Sequence, residues 1–190
     1  EKSLAYISNK MPRQIKVSTG ACGEILSTEY IEQCTRYSVP IKRLRWKDDR
    51  DTPMRGDDVI ALRKASSRWH VLKAESKSRA TLGKSVVKQA VDGLSRHNGR
   101  PNPSSLAFIS HRLREEGRDE EADVIDGLQA RTPRVGEIEH LVFTLSGNDP
   151  IDHLKLHLGD EELPRRHLVG CVIEDHRDFI NGIFDRIVKG

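Results

Sequence analysis

Three features that the chain lacks narrow its class before any motif is considered. No apolar run approaches the roughly 20 residues that a membrane-spanning helix needs, and no secretory signal pattern is present. The three cysteines are an odd number and form no close pair, which excludes a CxxC zinc motif and argues against a disulfide framework. These absences favour a protein of the reducing cytoplasm with no membrane partner.

Two common catalytic signatures are also missing. The GACG stretch at 20–23 is not followed by the Gly-Lys-Ser/Thr of a phosphate loop, and no Gly-x-Ser-x-Gly elbow is present. Phosphate-loop and serine-hydrolase chemistry are therefore unsupported.

Charge, in contrast, is abundant and unevenly distributed. Of the 190 residues, 32% are charged and the formal net charge is +3. Residues 42–50 hold five cations, whereas residues 115–123 are strongly acidic. This asymmetry favours one surface for an anionic partner and another for solvent or a basic partner.

The hydrophobic pattern predicts a mixed α/β fold. Helices are predicted at about 20–35, 80–96, 104–116, 119–131 and from about 175, and 151–159 is predicted to be a short helix or irregular. Strands are predicted at 41–46, 57–63, 69–76, 138–145 and 167–173, with a hairpin loop at 64–68. We expect one domain at 20–190 with a helical insertion at about 104–131. Because the chain begins at Glu1 rather than Met, it stays open whether the segment 1–19 continues a missing upstream region.

A carboxylate and an ammonium lie two residues apart in the third predicted strand. Glu75 and Lys77 project to the same face, and the hairpin would bring Asp58 within about 5 Å of that strand. Two carboxylates suit Mg²⁺ or Mn²⁺, which complete their shells with water and substrate phosphate. The spacing predicts a metal-dependent phosphodiesterase site, in which Lys77 positions or deprotonates a water or stabilises the transition state.

The segments GDDVIAL and WHVLKAESK resemble the PD-(D/E)XK nuclease superfamily. That resemblance implies an α-β-β-β-α-β core, a central mixed sheet flanked by helices, and a catalytic set of Asp58, Glu75 and Lys77, with the two acids binding the metal. It also implies two accessory residues. Glu24 in the first helix would be a third carboxylate, and Gln89 in the helix after the motif would lie near the scissile phosphate.

Four stretches narrow the resemblance further. GEILSTEYI, RGDDVIALR, LKAESKSR and RHLVGCVIEDHRDFINGIFDRI together resemble the HamA effectors of bacterial Hachiman anti-phage systems, and the related AbpA-type proteins, over most of 20–185. The resemblance implies a DNA-cleaving effector that works with a superfamily 2 helicase partner of the HamB type, which restrains it and senses aberrant DNA.

Cations near the predicted site are candidate DNA contacts. Lys84 and Lys88 share a helix face four residues apart and repel mildly, and a phosphate between them would remove that penalty and release counterions. The full set is Lys42, Arg43, Arg45, Lys84 and Lys88.

Three points stay open. Either Asp57 or Asp58 can be the metal ligand, and Asp58 is expected because the superfamily places its acid directly before the apolar strand. Lys73 and Ala74 are less hydrophobic than the residues that many members carry before the Glu75 position.

The pair of Glu75 and Lys77 also fits an ordinary salt bridge. The chain would then be a catalytically silent DNA-binding or helicase-regulating subunit, and an RNase of the same fold is a third hypothesis.

Overall fold

A computed structural model describes residues 12, 14–46, 51–52, 56–131, 133, 136–159, 163 and 165–189. Its helices are α1 (Ile15–Cys34), α2 (Lys84–Ser95), α3 (Pro103–Glu115), α4 (Asp119–Ala130), α5 (Ile151–Lys155) and α6 (His176–Lys189). Its strands are β1 (Val59–Ala65), β2 (Arg68–Arg79), β3 (Ile138–Ser146) and β4 (Arg166–Val172), and a 3-10 helix (Arg43–Trp46) precedes β1.

The four strands form one mixed sheet in the order β1-β2-β3-β4. β1 and β2 are an antiparallel hairpin joined by Ser66 and Ser67, of which Ser66 has a φ of 55°. β3 pairs parallel to β2, and β4 pairs parallel to β3. Helices α2, α3 and α4 form the long crossover that parallel neighbours require. The mixed α/β class is therefore confirmed.

The prediction of a strand at 41–46 is wrong, because this segment contains the 3-10 helix. The chain before it meets β1 at an isolated bridge, where Ser38 and Leu62 exchange backbone hydrogen bonds of 2.9 and 2.8 Å. Two features explain why the alternation of apolar and basic residues does not produce a strand here. Pro40 has no N–H to donate to a ladder, and Arg43 turns inward with only 8% of its surface exposed.

Alternate residues of β2 face different helical layers. Leu72 and Ala74 pack with Ile31 of α1. Lys73 and Glu75 face α2, because the first bonds the end of that helix and the second lies against its backbone. The sheet thus carries α1 on one face and α2 on the other.

Two helices, α3 and α4, occupy the segment at which the helical insertion was predicted. The side chain of Asn102 accepts the N–H of Ser104 at 2.9 Å, and Pro103 occupies the first turn of α3. Gly117 separates the two helices with a left-handed φ of 72°. Both helices pack on the hairpin through one buried cluster, which contains Ile60, Leu62, Val71, Ile109, Leu113, Ile125 and Leu128.

Helix α1 begins at Ile15, earlier than predicted. It approaches β2 closely at Gly23, where an added Cβ would lie 3.0 Å from the Cβ of Ser78. Residues 1–11 and 13 of the predicted N-terminal segment lie outside the described residues. Within the described residues, no helix combines the length and the hydropathy of a membrane span.

Candidate active site

The candidate site lies at the open end of the hairpin, where β1 begins and β2 continues beyond it. The last ladder pair joins Val59 to Ala74, so Asp58 stands opposite Glu75 in the same register. Beyond this point, β2 remains paired with β3. Oδ2 of Asp58 accepts hydrogen bonds from the N–H of Ser76 at 2.8 Å and from its hydroxyl at 3.1 Å. The aspartate therefore occupies the edge position that a longer β1 would have filled.

Glu75 and Lys77 form a close pair beside this aspartate. Nζ of Lys77 lies 2.6 Å from Oε1 of Glu75 and 3.2 Å from the carbonyl oxygen of Ser76. The side chain of Glu75 is 16% exposed, and that of Lys77 is 20% exposed. Gly93 of α2 makes room for the carboxyl group, because a Cβ there would lie 2.8 Å from Cδ of Glu75. The pair is thus held between the strand edge and a helix.

Burial raises the pKa of both acids. The pKa of Asp58 is raised by burial, against the opposing effects of Lys77 and of the hydrogen bonds from Ser76. The pKa of Glu75 rises to about 7, first through burial and then through the charge of Asp58, while Lys77 opposes the rise. Two carboxyl groups that repel each other in this way gain from a shared cation.

A cleft of about 470 Å³ opens between α1 and the end of β2. Its charged lining includes Lys16, Glu24, Asp58, Lys77 and Arg79. The structure therefore brings three of the five predicted catalytic residues, Glu24, Asp58 and Lys77, into one cleft. Glu75 is not part of its lining and lies against α2. Sequence analysis missed Lys16, because no helix or strand was predicted for its segment.

The two accessory residues occupy different positions. Glu24 lines the cleft from α1, and its charge favours the charged form of Arg43. Gln89 is exposed on α2, one turn before Gly93, and so lies on the helix face that meets Glu75. Glu24 thus lies in the cleft with Asp58 and Lys77, whereas Gln89 lies near Glu75 on the face of the sheet that carries α2.

Asp57 and Asp58 have separate environments. Asp57 is only 6% exposed, its Oδ2 accepts the N–H of Asn102 at 2.5 Å, and its Oδ1 lies 3.6 Å from Nζ of Lys73. Asp58 lies at the strand edge against Ser76. The geometry favours Asp58 as the candidate metal ligand.

The donor set suits a hard divalent cation with few protein ligands. Asp58 and Glu75 supply carboxylate oxygens, and within the described part of the chain no cluster of three His, Cys, Asp or Glu residues could hold a metal. Mg²⁺ commonly binds through one or two carboxylates and keeps waters and substrate phosphates in its remaining positions. The pair therefore fits Mg²⁺ or Mn²⁺.

Two of the predicted DNA contacts are engaged within the protein. The ammonium of Lys42 lies 3.1 Å from Glu29 and 2.7 Å from Glu32. The guanidinium of Arg43 is buried and donates to the backbone carbonyl of Asp57. Contrary to expectation, Arg43 does not present its charge at the surface.

The other three predicted contacts are exposed. Arg45 lies on the 3-10 helix, and Lys84 and Lys88 lie on α2. Lys88 forms an ion pair of 2.7 Å with Asp92, one turn further along the helix. Exposed pairs of this kind are weak, so a phosphate can compete for the lysine. Their contact with DNA stays a prediction.

Comparison with known proteins supports the resemblance drawn from the motifs. The HamA family model matches residues 1–187. The Hachiman protein HamA of Bacillus cereus is 33% identical over 136 residues, which are 71% of this chain and 48% of that protein. The chain thus spans about half the length of this curated relative.

Proposed function

This chain belongs to the HamA family, and we propose that it is a divalent-metal-dependent DNA nuclease. It serves as the effector of a bacterial Hachiman anti-phage defence system and acts with a helicase partner. The activity is phosphodiester hydrolysis, and Mg²⁺ or Mn²⁺ is the cofactor.

One observation carries this proposal. Asp58 and Glu75 oppose each other where the hairpin opens, and the ammonium of Lys77 lies 2.6 Å from the second acid. A salt bridge that only stabilises the fold needs one acid and one base. Here Asp58 is an additional acid, and repulsion by its negative charge adds to burial, the larger cause, in raising the pKa of Glu75. A cation-binding role accounts for retaining that repulsion.

The residues have separable roles in the proposed reaction. Asp58 and Glu75 would hold the cation, which when bound polarises the phosphodiester and lowers the pKa of a coordinated water. Lys77 can position the attacking water or stabilise the negative charge that develops on the phosphate. Ser76 fixes the orientation of Asp58 through its N–H and hydroxyl.

The surroundings of the cleft suit a nucleic-acid backbone. Lys16 and Arg79 line it beside Asp58 and Glu24, and Lys84, Lys88 and Arg45 are exposed elsewhere. Basic side chains of this kind neutralise phosphates without reading bases. We therefore propose cutting with little sequence preference.

Plasmid cleavage by the purified chain tests the proposal. Wild-type protein should nick or degrade plasmid with Mg²⁺ and stop with EDTA. Glu75→Gln and Lys77→Ala should each lower the rate at least about a hundredfold. The matched control is Lys64→Ala, which breaks an exposed pair with Glu120 and should cut like wild type. A structured RNA in parallel separates DNase from RNase activity.

Two results would contradict the proposal. If both site variants cut like wild type, the residue assignment is wrong. If wild-type protein binds DNA but never nicks it at any concentration of Mg²⁺ or Mn²⁺, the chain is the catalytically silent subunit.

A further inference from the structure

Lys73 is a buried cation next to the proposed site, and the proposed chemistry does not use it. Its side chain is 1% exposed. Nζ donates to the backbone carbonyls of Leu94, Arg96 and Arg100 at 3.0, 3.2 and 3.0 Å. An ammonium has three donors, so the carbonyls satisfy all of them.

These three carbonyls lie at and just beyond the C-terminal end of α2. The last carbonyls of a helix have no partner within the helix, and a cation there also complements the helix dipole. The chain then turns through three successive left-handed residues, His97, Asn98 and Gly99. Lys73 therefore fastens this turn and the end of α2 to the middle of β2.

The same lysine reaches the segment that precedes β1. Oδ1 of Asp57 lies 3.6 Å from Nζ of Lys73. Oδ2 of Asp57 accepts the N–H of Asn102, and its own N–H donates to Oγ of Ser105 at 3.0 Å. Its carbonyl accepts from the guanidinium of Arg43. Every polar group of Asp57 is thus engaged, which fixes the chain one residue before Asp58.

Both proposed metal ligands are attached to this network. Asp58 follows Asp57 directly, and Glu75 lies two residues from Lys73 on the same face of β2. Gly93, against which the Glu75 carboxyl packs, directly precedes Leu94, whose carbonyl the lysine binds. One ion pair therefore joins the chain segments that carry the two acids and the helix that confines the second.

We propose that Asp57 and Lys73 are positioning residues that set the separation of the Asp58 and Glu75 carboxylates, and with it their affinity for a divalent cation. This inference rests on the proposed function. Neither residue touches the cation or the substrate. They act by holding the two strand segments in the geometry that lets both acids bind one ion.

Calorimetric titration of Mn²⁺ into the metal-free chain tests this role without requiring cleavage. Asp57→Asn keeps the size and an acceptor for Asn102 but removes the charge, and Lys73→Met removes the cation. Each should weaken Mn²⁺ binding about tenfold or more, as loss of the groups that orient metal ligands does. Ile125→Val, in the buried cluster of α4, is the control. It should lower the melting temperature and change the Mn²⁺ Kd by no more than about twofold.

The outcomes separate the two proposals. Weaker Mn²⁺ binding by Asp57→Asn, with cleavage restored at saturating Mn²⁺, supports positioning. An unchanged Kd in Asp57→Asn, even with a lower melting temperature, overturns it and leaves a structural role only. This test holds if Lys73→Met fails to fold. If the wild-type chain binds no Mn²⁺, the proposed metal site fails first and the positioning role with it.

Discussion

Lys73 and Lys77 lie four residues apart on one face of β2, and each lies near an acid, yet their surroundings differ. Lys73 is buried with three carbonyl partners, and its acid, Asp57, is 3.6 Å away. Lys77 is 20% exposed, lies 2.6 Å from Glu75 and lines an open cleft. Partners and solvent access, rather than residue type, distinguish a cation that fixes geometry from one that is free to exchange partners.

The largest expected difference between the two lysines is in stability. Lys73→Met should lower the free energy of unfolding by about 3–5 kcal/mol, because it leaves the buried carboxylate of Asp57 and three backbone carbonyls without the ammonium. Lys77→Met should cost about 1 kcal/mol or less, since that pair is partly solvated. Urea unfolding at neutral pH measures both. Equal losses would break the distinction drawn between the two lysines.

The pH dependence of stability gives a second test, which concerns Glu75, the acidic partner of Lys77. Its pKa in the folded protein is about 7, above the ordinary value of 4.5 that the unfolded chain has. The folded state therefore binds more protons between these values, and the free energy of unfolding falls as pH rises through that window. Glu75→Gln cannot lose stability in this way, because glutamine does not titrate. In EDTA its free energy of unfolding should therefore exceed that of wild type by about 2–3 kcal/mol at pH 8 and equal it near pH 4.

Urea unfolding of both proteins from pH 4 to pH 8 tests this expectation. Saturating Mn²⁺ should remove the advantage of the variant at pH 8, because the bound cation stabilises the ionised carboxylate of the wild-type protein. Parallel curves across the whole range would show that Glu75 is not the group responsible.

Two helical glycines offer the smallest and most specific test. At Gly127 of α4 an added Cβ would meet no atom within 4 Å apart from the adjoining residues and backbone of its own helix, so Gly127→Ala should stabilise the protein by up to about 1 kcal/mol. Gly93→Ala has the same helix advantage, but its Cβ would lie 2.8 Å from Cδ of Glu75. It should displace that carboxyl and reduce cleavage about tenfold or more. Plasmid assays on both variants, with melting temperatures, decide the matter. Equal activity would show that Gly93 does not confine the acid.

Strong periodicity made most of the fold predictable. The helical insertion, β3 and the closing helix follow from long apolar patterns with clear ends, such as Gly117. The segment at 41–46 was mispredicted as a strand, because alternation alone does not reveal that Arg43 turns inward to bind a carbonyl. Such a contact depends on residues brought together only by the fold.

The candidate site was predictable to the extent that it is local. The spacing of Glu75 and Lys77 places them on one face of the strand, and the hairpin register places Asp58 opposite Glu75. The role of Lys73 was not predictable, because its partners at the end of α2 and at Asp57 come from segments distant in sequence. Its polarity before Glu75 looked like a departure from the superfamily pattern, and the structure gives it a place in the buried network.

Anomalous diffraction from crystals soaked in Mn²⁺ is the most direct test of the central claim, that the Asp58 and Glu75 carboxylates share one cation. We predict a single strong peak between these two side chains in the wild-type protein and none in Glu75→Gln. A peak at another position, or an equal peak in the variant, would contradict the account.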